Sequence, residues 1–253
     1  MVTAMRGAAP PQGAQAALRA VRLLKLFTPE HPEMLLGDIS RRSGLNKTTA
    51  HRLLAALASE AMIDRNPVTG AYRLGPGLMA LGVQALSSSN LRLRMRPVLR
   101  ELASDSGETA TLEVPIDGSM LILDEVTGRH VIGASGNVGT RWPMHATSTG
   151  KALIALAEDG LSRLGTTLMP LTSRTIVRRS DLEKQLNEIR SRGFAETVDE
   201  LEEGFSGVAT VIRGGHGEVL GAVSICGPTQ RMTSDRRARL GAILCSVAEG
   251  LHL

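Results

Sequence analysis

Basic and hydroxyl-bearing side chains are concentrated in one short stretch of the chain. This stretch contains Asn46, Lys47, Thr48, Thr49, His51 and Arg52. Free N–H groups at a helix N-terminus bind phosphate, and an arginine on the first turns of a helix can pair with guanine through two hydrogen bonds. The residue types therefore indicate recognition of double-stranded DNA, in which Arg52 would read a base and Lys47 and Thr48 would hold phosphates.

Catalytic and metal-binding patterns are not recognisable in the sequence. Cys226 and Cys245 lack the spacing of a metal site, and the six histidines form no HExxH motif. Residues 147–151 are similar to a phosphate-binding loop, but the first glycine of that motif would be residue 145, which is His145. We therefore expect no enzymatic activity, no cofactor and no metal. An enzyme acting on a small acid, with His145 as its base, is the alternative.

The net charge of +4 hides an uneven distribution. Residues 1–100 hold 14 Lys and Arg against 5 Asp and Glu, whereas residues 101–253 hold 15 against 20. A basic front half suits a polyanion such as DNA. No apolar run approaches the roughly 20 residues of a membrane span, and no secretory signal is recognisable. With only two cysteines, the sequence predicts a cytoplasmic protein without a membrane partner.

A helix, a tight turn and a second helix would position the basic stretch. The first helix is predicted over residues 36–43, Gly44 supplies the turn, and Asn46 is well placed as the N-cap of the second helix. Apolar residues recur at helical spacing in that second helix, at Ala50, Leu53, Leu54, Leu57 and Ala58. The basic side chains are then left on the outer face.

Two further elements would flank this helical pair. A preceding helix is predicted over residues 14–27, with Leu18, Val21 and Leu24 facing inward. Two short strands over residues 62–74 flank turn residues and predict a β-hairpin. A hairpin directly behind a helix-turn-helix is a wing, with Arg65 and Arg73 at its base. The alternative is an ordinary surface hairpin.

The remaining pattern predicts a mixed α/β domain behind the winged helix-turn-helix. We expect a disordered tail over residues 1–13, a DNA-binding domain over 14–77, a linker helix over 78–90, and an effector-binding and oligomerisation domain over 91–253. Strands are predicted over 109–115, 120–124, 131–134, 194–198, 208–213 and 219–226. Helices are predicted over 147–157 and 234–251, with another starting at a capping box formed by residues 180–183. Interleaved strands and helices, with strands partly in hairpins, indicate a mixed sheet with helices packed on it.

Four ordered motifs carry a resemblance to a known family. They are the helix-turn-helix over residues 44–54, the Trp142-Pro143-Met144-His145-Ala146-Thr147-Ser148-Thr149-Gly150-Lys151-Ala152 stretch, the Glu202–Ala209 stretch and the Ala222–Pro228 stretch. With these, the chain resembles the IclR family of bacterial transcriptional regulators from about Ala14 to Leu251. The resemblance implies a GAF-like effector domain, a homodimer or dimer of dimers, and binding to pseudo-palindromic operators. It also implies a small organic acid as effector, and it favours a repressor over an activator.

The resemblance also assigns further site residues. Arg19 occupies the position of a family arginine that can reach DNA. The family effector pocket maps onto Ser148, Thr149 and Gly150, which open a predicted helix whose backbone N–H groups could receive a carboxylate. It also maps onto Ser224 and Cys226, which are two positions apart in a predicted strand and would face the same side of a sheet. The alternative is that Ser224 and Cys226 are only residues of a core strand.

Val131, Ala134 and Trp142 correspond to the apolar wall of the effector pocket, and Thr197 and Gly207 fill its remaining polar positions. Thr197 stands where some acid-binding members carry an aspartate, which implies a roomier and less acidic pocket and favours an aromatic or longer-chain acid. The alternative is a DNA-binding regulator whose C-terminal domain only oligomerises.

Overall fold

The computed structural model describes residues 13–28, 30–130, 137–164 and 167–251. The chain divides into two compact units, with the division between Ser88 and Ser89. Each unit has its own hydrophobic core. No helix among the described residues is long and apolar enough to cross a membrane.

The first unit is a winged helix-turn-helix, as the sequence predicts. Its helices are α1 (Gln15–Leu24), α2 (Leu36–Ser43), α3 (Lys47–Ser59) and α4 (Pro76–Ser87). Its strands are β1 (Glu33–Met34), β2 (Ile63–Arg65) and β3 (Tyr72–Leu74). They form an antiparallel sheet in the order β1-β3-β2, in which β2 and β3 are the predicted hairpin. Strand β1 was not expected, because two residues carry no periodic signal.

The core of the first unit lies between its helices and this small sheet. It includes Leu23, Ile39 and Leu54, all with fully buried side chains, together with Ile63 and Tyr72 from the hairpin. The expectation that Val21 faces inward is wrong, since its side chain is 51% exposed. Leu23, rather than Val21, is the buried residue of α1. Ala58 is likewise exposed, so not every apolar residue at helical spacing in α3 contributes to the core.

The second unit is built around one six-stranded sheet in the order β6-β5-β4-β9-β8-β7. All its strand pairs are antiparallel, so the expectation of a mixed sheet is wrong. The strands are β4 (Thr109–Ile116), β5 (Ser119–Val126), β6 (Arg141–Pro143), β7 (Ala195–Val198), β8 (Phe205–Arg213) and β9 (Val219–Pro228). The helices are α5 (Asn90–Ser106), α6 (Ser148–Leu156), α7 (Arg179–Arg192) and α8 (Ser234–Glu249). The predicted mixed α/β class is therefore confirmed. Short 3-10 turns occupy Met144–Ala146 and Gly160–Arg163.

The two faces of the sheet belong to two different hydrophobic cores. Val208 and Ile212 of β8 belong to a core with α5 and α8, whereas Ala209 and Val211 of the same strand belong to a core with α6 and α7. Neighbouring residues of a strand point to opposite faces. Helices α5 and α8 therefore cover one face of the sheet, and α6 and α7 pack on the other.

Two details of the second unit differ from expectation. The predicted capping box at residues 180–183 is wrong, because α7 begins at Arg179 and its N-cap Arg178 makes no side-chain cap hydrogen bond. The Asp181 carboxylate instead accepts a hydrogen bond from Arg178 Nε at 2.7 Å. Strand β6 was not predicted. The strand expected over residues 131–134 lies outside the described residues.

Strands β4 and β5 form a hairpin whose register is interrupted once. Asp117 and Gly118 form its turn with φ of 45° and 74°, which suits an Asp-Gly pair. The register shifts between Leu112 and Glu113, because these consecutive residues of β4 pair with Asp124 and Ile122 and leave Leu123 as an extra residue in β5. Such irregularities redirect side chains locally.

Candidate nucleic-acid interface and ligand cavity

Helix α3 presents a polar face to solvent and an apolar face to the core. Ala50 and Leu54 are fully buried, whereas Lys47, Thr48, His51 and Arg52 are exposed and Thr49 is half-buried. Gly44 ends α2 in the left-handed conformation with φ of 69°, which lets the chain turn sharply into α3. The exposed face can therefore offer donors to phosphates and to base edges in a major groove.

Asn46 holds the start of α3. Its side-chain oxygen accepts a hydrogen bond from the Thr49 backbone N–H at 2.8 Å, which confirms it as the N-cap. This bond satisfies one of the amides that have no partner within a helix.

The two arginines of the hairpin have different surroundings. Arg65 donates from Nε to the Gly70 carbonyl oxygen at 3.3 Å, and its guanidinium carbon lies 5.6 Å from the centre of the Tyr72 ring. Arg73 pairs with Asp64 at 2.6 Å and lies 3.6 Å from Glu33. The hydrogen bond from Arg73 lowers the pKa of the Asp64 carboxyl. Much of the positive charge expected from Arg73 is therefore neutralised. Arg19 is exposed on α1.

A cavity of about 300 Å³ lies in the second unit, against the sheet and the start of α6. Its walls are formed by Thr111, Glu113, Ile122, Trp142, Thr147, Ser148, Thr149, Leu201, Glu202, Glu203, Gly204, Phe205, Ser224, Cys226 and Pro228. A volume of this size is within the range of small-molecule sites.

Neighbouring strands supply the polar floor of the cavity. Thr111 of β4 is paired in register with Ser224 of β9, and their hydroxyl oxygens are 2.7 Å apart. Glu113 and Cys226 are each two positions further along their strands, and so they face the same side. Trp142 of β6 is half-buried and closes another part of the wall.

Glu113 is the acceptor at the centre of a hydroxyl network. Its Oε1 accepts from Thr111 Oγ1 at 2.9 Å, and its Oε2 accepts from Thr149 Oγ1 at 2.7 Å. Burial raises the pKa of the Glu113 carboxyl, and the two hydroxyl donors only partly oppose that rise. Since Thr149 is on α6 and Thr111 is on β4, the network ties the helix start to the sheet.

Five of the predicted ligand-binding residues line the cavity, and three others in the described structure do not. Trp142, Ser148, Thr149, Ser224 and Cys226 all line the cavity. Gly150, Thr197 and Gly207 do not, contrary to expectation. Val131 and Ala134 lie outside the described residues.

Close packing explains why those three residues are not in the wall. The Gly150 amide donates to Thr147 Oγ1 at 3.2 Å, and a Cβ at Gly150 would lie 2.1 Å from the Met144 carbonyl oxygen. A Cβ at Gly207 would lie 2.9 Å from Ser148 Oγ, so Ser148 stands in front of it. Thr197 lies on the outermost strand β7, where it is paired with Gly207 of β8, and its side chain is buried.

Sequence reasoning missed Glu113, and it identified the Glu202–Ala209 stretch as a motif without assigning Glu202 or Glu203 to a ligand site. The available signal was a single carboxylate at an alternate position of a strand that also contains Thr109 and Thr111. That pattern does not show whether the side of the strand that carries Glu113 faces a cavity. The network partner Thr149 lies 36 residues away, so only the tertiary fold identifies the group.

His145 and Cys226 are two groups in this region whose residue types could support catalysis. His145 is buried with Nε2 2.9 Å from the Met169 carbonyl oxygen, and it is not a wall residue. Burial, with the nearby Glu113 charge, raises the pKa of the Cys226 thiol far above its usual range, so the thiol is not an activated nucleophile. Within the described ranges, no cluster of His, Cys, Asp and Glu could hold a metal ion.

Comparison with known proteins gives consistent matches over both units. A family model described as the IclR helix-turn-helix domain matches residues 16–67, and one described as bacterial transcriptional regulator IclR C-terminal matches residues 83–252. The chain is similar to the transcriptional repressor IclR of Escherichia coli strain K12, with 31% identity over 97% of this chain and 92% of the relative.

Solved structures resemble the whole chain. An ICLR transcriptional regulator from Silicibacter sp. TM1040 is 27% identical, with a TM-score of 0.79 over 94% of this chain and 98% of that one. An IclR homologue from Microbacterium hydrocarbonoxydans, complexed with 4-hydroxybenzoate, is also 27% identical, with a TM-score of 0.72 over 93% of this chain and 96% of that one.

Proposed function

The chain belongs to the IclR family of bacterial transcriptional regulators, and on that basis we propose that it is a sequence-specific repressor controlled by a small organic ligand. The exposed face of α3 would read the operator, and the cavity of the second unit would hold the ligand. The observation that carries the proposal is the division of α3 into a buried apolar side and an exposed basic side.

Arg52 is the best candidate for base readout, and Lys47 and Thr48 are placed to hold phosphates. Exposed side chains on the first turns of a recognition helix reach base edges, and the amides at its start face the backbone. Arg73 contributes less, because its charge is paired with Asp64. Similarity to the repressor from Escherichia coli supports repression.

A homodimer or dimer of dimers would supply the second recognition helix. One chain presents one such helix, and operators of this type are read as two half-sites about one helical turn apart. Helix α4 supports self-association, because none of its residues is buried and its apolar side chains include Met79 at 67% and Val83 at 64% exposure. Exposed apolar surface of this kind is typical of an interface.

For the ligand, the family resemblance favours an organic acid. The homologue complexed with 4-hydroxybenzoate supports an aromatic one. Against this stand the three carboxylates of the cavity wall, Glu113, Glu202 and Glu203. A carboxylate ligand would enter beside Glu113 only if one of the two groups carried a proton.

The DNA-binding proposal is tested by anisotropy titration against duplexes selected from a random-sequence library. Arg52→Ala should lose about 1–3 kcal/mol of discrimination between selected and scrambled duplexes. Lys47→Ala should weaken binding to every duplex and reduce the salt slope by about one.

Arg179→Ala is the matched control, because it removes an exposed arginine from α7 in the other unit. It should leave both quantities unchanged. Wild-type affinity and discrimination in both the Arg52 and the Lys47 variants would show that α3 is not the reading helix.

A further inference from the structure

We propose that the ligand of this cavity is a cation, an amine or amidine carried on an apolar body, and that Glu113 pairs with its charge. The inference rests on the proposed function, since it takes the cavity as the ligand site. It departs from the organic acid that the family resemblance implies, and it is carried by the charges around the cavity.

Glu113 differs from the other buried acidic residues of the described chain. Glu108 is held by Arg231 at 2.7 Å, Asp124 by Arg96 at 2.5 Å, and Glu200 by Lys151 at 2.6 Å. Glu113 is as buried as these, at 5% exposure, yet only the hydroxyls of Thr111 and Thr149 bond to it in the described structure. A buried charge without a counter-charge is costly, and a cationic ligand would supply the missing one.

The hydroxyl network prepares Glu113 to accept rather than to donate. Thr111 and Thr149 each direct a hydroxyl toward one carboxylate oxygen. The Ser224 hydroxyl lies 2.7 Å from Thr111 Oγ1 and can donate to it, which frees the Thr111 hydrogen for Glu113. This arrangement satisfies an ionised carboxylate.

The other charged side chains of the wall have the same sign of charge as Glu113. Its charged residues are Glu113, Glu202 and Glu203, and no Lys, Arg or His of the described chain is among the wall residues. Like charges would repel a carboxylate ligand, and their summed field would attract a cation.

Aromatic side chains complete the recognition site for a cation. The whole chain has five aromatic residues, and two of them, Trp142 and Phe205, line this cavity. The face of an aromatic ring attracts an ammonium or amidinium group, most strongly for tryptophan. The apolar wall residues Ile122 and Leu201 would contact the body of the ligand.

Three probes of nearly equal shape isolate the sign of the charge: benzamidine as cation, benzamide as neutral amide and benzoate as anion. Binding to the full-length protein is followed by the fluorescence of Trp142, the sole tryptophan, and by calorimetry. We expect benzamidine to bind at least about ten-fold more tightly than benzoate, with benzamide between them. Equal or tighter binding of benzoate overturns the proposal.

The role of Glu113 is tested by Glu113→Gln, which keeps the size of the side chain and removes its charge. The preference for benzamidine over benzoate should disappear or reverse. Glu188→Gln is the matched control, since it makes the same charge change on an exposed position of α7 and should keep the preference. Unchanged preference in Glu113→Gln would contradict the assignment.

Two further measurements keep the proposal testable even if Glu113→Gln does not fold. Glu202→Gln combined with Glu203→Gln changes only exposed wall residues and should reduce the preference by a smaller factor. Failure of all three probes to bind the wild type overturns the cavity as a ligand site, and with it this proposal. Operator binding, measured separately, would survive that result, so the two failures are distinguishable.

Discussion

At the scale of single residues, the contrast between Glu113 and Glu108 is the most informative. Both are buried, and burial alone raises the pKa of a carboxyl. At Glu108, burial is outweighed by the hydrogen bonds and charge of Arg231 and by the charge of Arg236, and the pKa is lowered. At Glu113, the hydroxyl donors do not outweigh burial, and the pKa is raised.

This contrast predicts stability effects of opposite sign. The folded state holds the Glu113 proton more tightly than the unfolded chain does, so the free energy of unfolding falls as pH rises from about 4.3 through the raised pKa. Glu113→Gln should therefore stabilise the ligand-free protein near neutral pH. Its advantage should grow by up to about 1.4 kcal/mol per pH unit in that window and vanish at lower pH.

Glu108→Gln is the control with the opposite expectation. A lowered pKa contributes stability above the unfolded-chain value, and that stability is lost as pH falls. The variant should destabilise the protein at neutral pH and approach wild-type stability in acid. Urea titrations followed by Trp142 fluorescence measure both variants, because Trp142 lies in the same unit. Destabilisation by Glu113→Gln at neutral pH would mean that its charge already has a partner.

At the scale of elements, α3 depends on the bond that starts it. Asn46→Ala should destabilise the helix by about 1 kcal/mol, because the Thr49 amide loses its acceptor. Hydrogen exchange at the Thr49 amide is the direct measurement, and exchange should be faster in the variant.

Asn46→Ser and Asn46→Asp separate capping from DNA contact. Both side chains cap helices well, so both should keep the stability of the wild type. The added negative charge of Asn46→Asp should nevertheless weaken DNA binding, since under the proposed function it would lie beside phosphates. If Asn46→Ser is as unstable as Asn46→Ala, the side chain does not contribute through capping.

The element scale also shows what a sequence can reveal. The helix-turn-helix follows from local signals, namely the apolar spacing of α3, Gly44 in the turn and Asn46 at the cap, and these were predicted within a residue or two. Strand β1 was missed, because its two residues gain their order from pairing with β3. Helix α7 begins without the predicted cap, because Asp181 bonds to Arg178 instead.

The candidate site was less accessible to sequence reasoning for the same physical reason. Ser148, Thr149, Ser224 and Cys226 were identified from motifs, but the acidity of the wall was not. That acidity requires Glu113 of β4 and two residues of a loop more than 80 positions later to share one cavity. The alternation of side chains along a strand leaves two possible sides of the sheet for Glu113. Only the packing of the helices decides which side it faces.

At the scale of the whole molecule, α4 predicts self-association. Replacing both Met79 and Val83 by glutamate should reduce the average mass in solution, because charged residues on an apolar interface are costly to bury. Sedimentation velocity at several protein concentrations measures the effect. DNA affinity should fall with it, since two half-sites need two chains.

Arg239→Glu is a suitable control, because it adds a negative charge on an exposed position of α8 in the second unit. It should leave the mass distribution unchanged. A doubly substituted α4 with the wild-type mass would place the interface elsewhere on the chain.

The position of Glu113 on the cavity side of β4 bears on how the cavity can change over generations. Glu113 faces the cavity, and its side chain bonds to two hydroxyls rather than to a charged partner in the described structure, so glutamine of the same size can replace it without changing the backbone pairing with Ile122 and Ala222. A single nucleotide change can convert a glutamate codon to a glutamine codon. Under the proposed function, the class of compound bound would therefore be an evolvable trait, separable from the operator, and the same position would be a starting point for building biosensors with a new input.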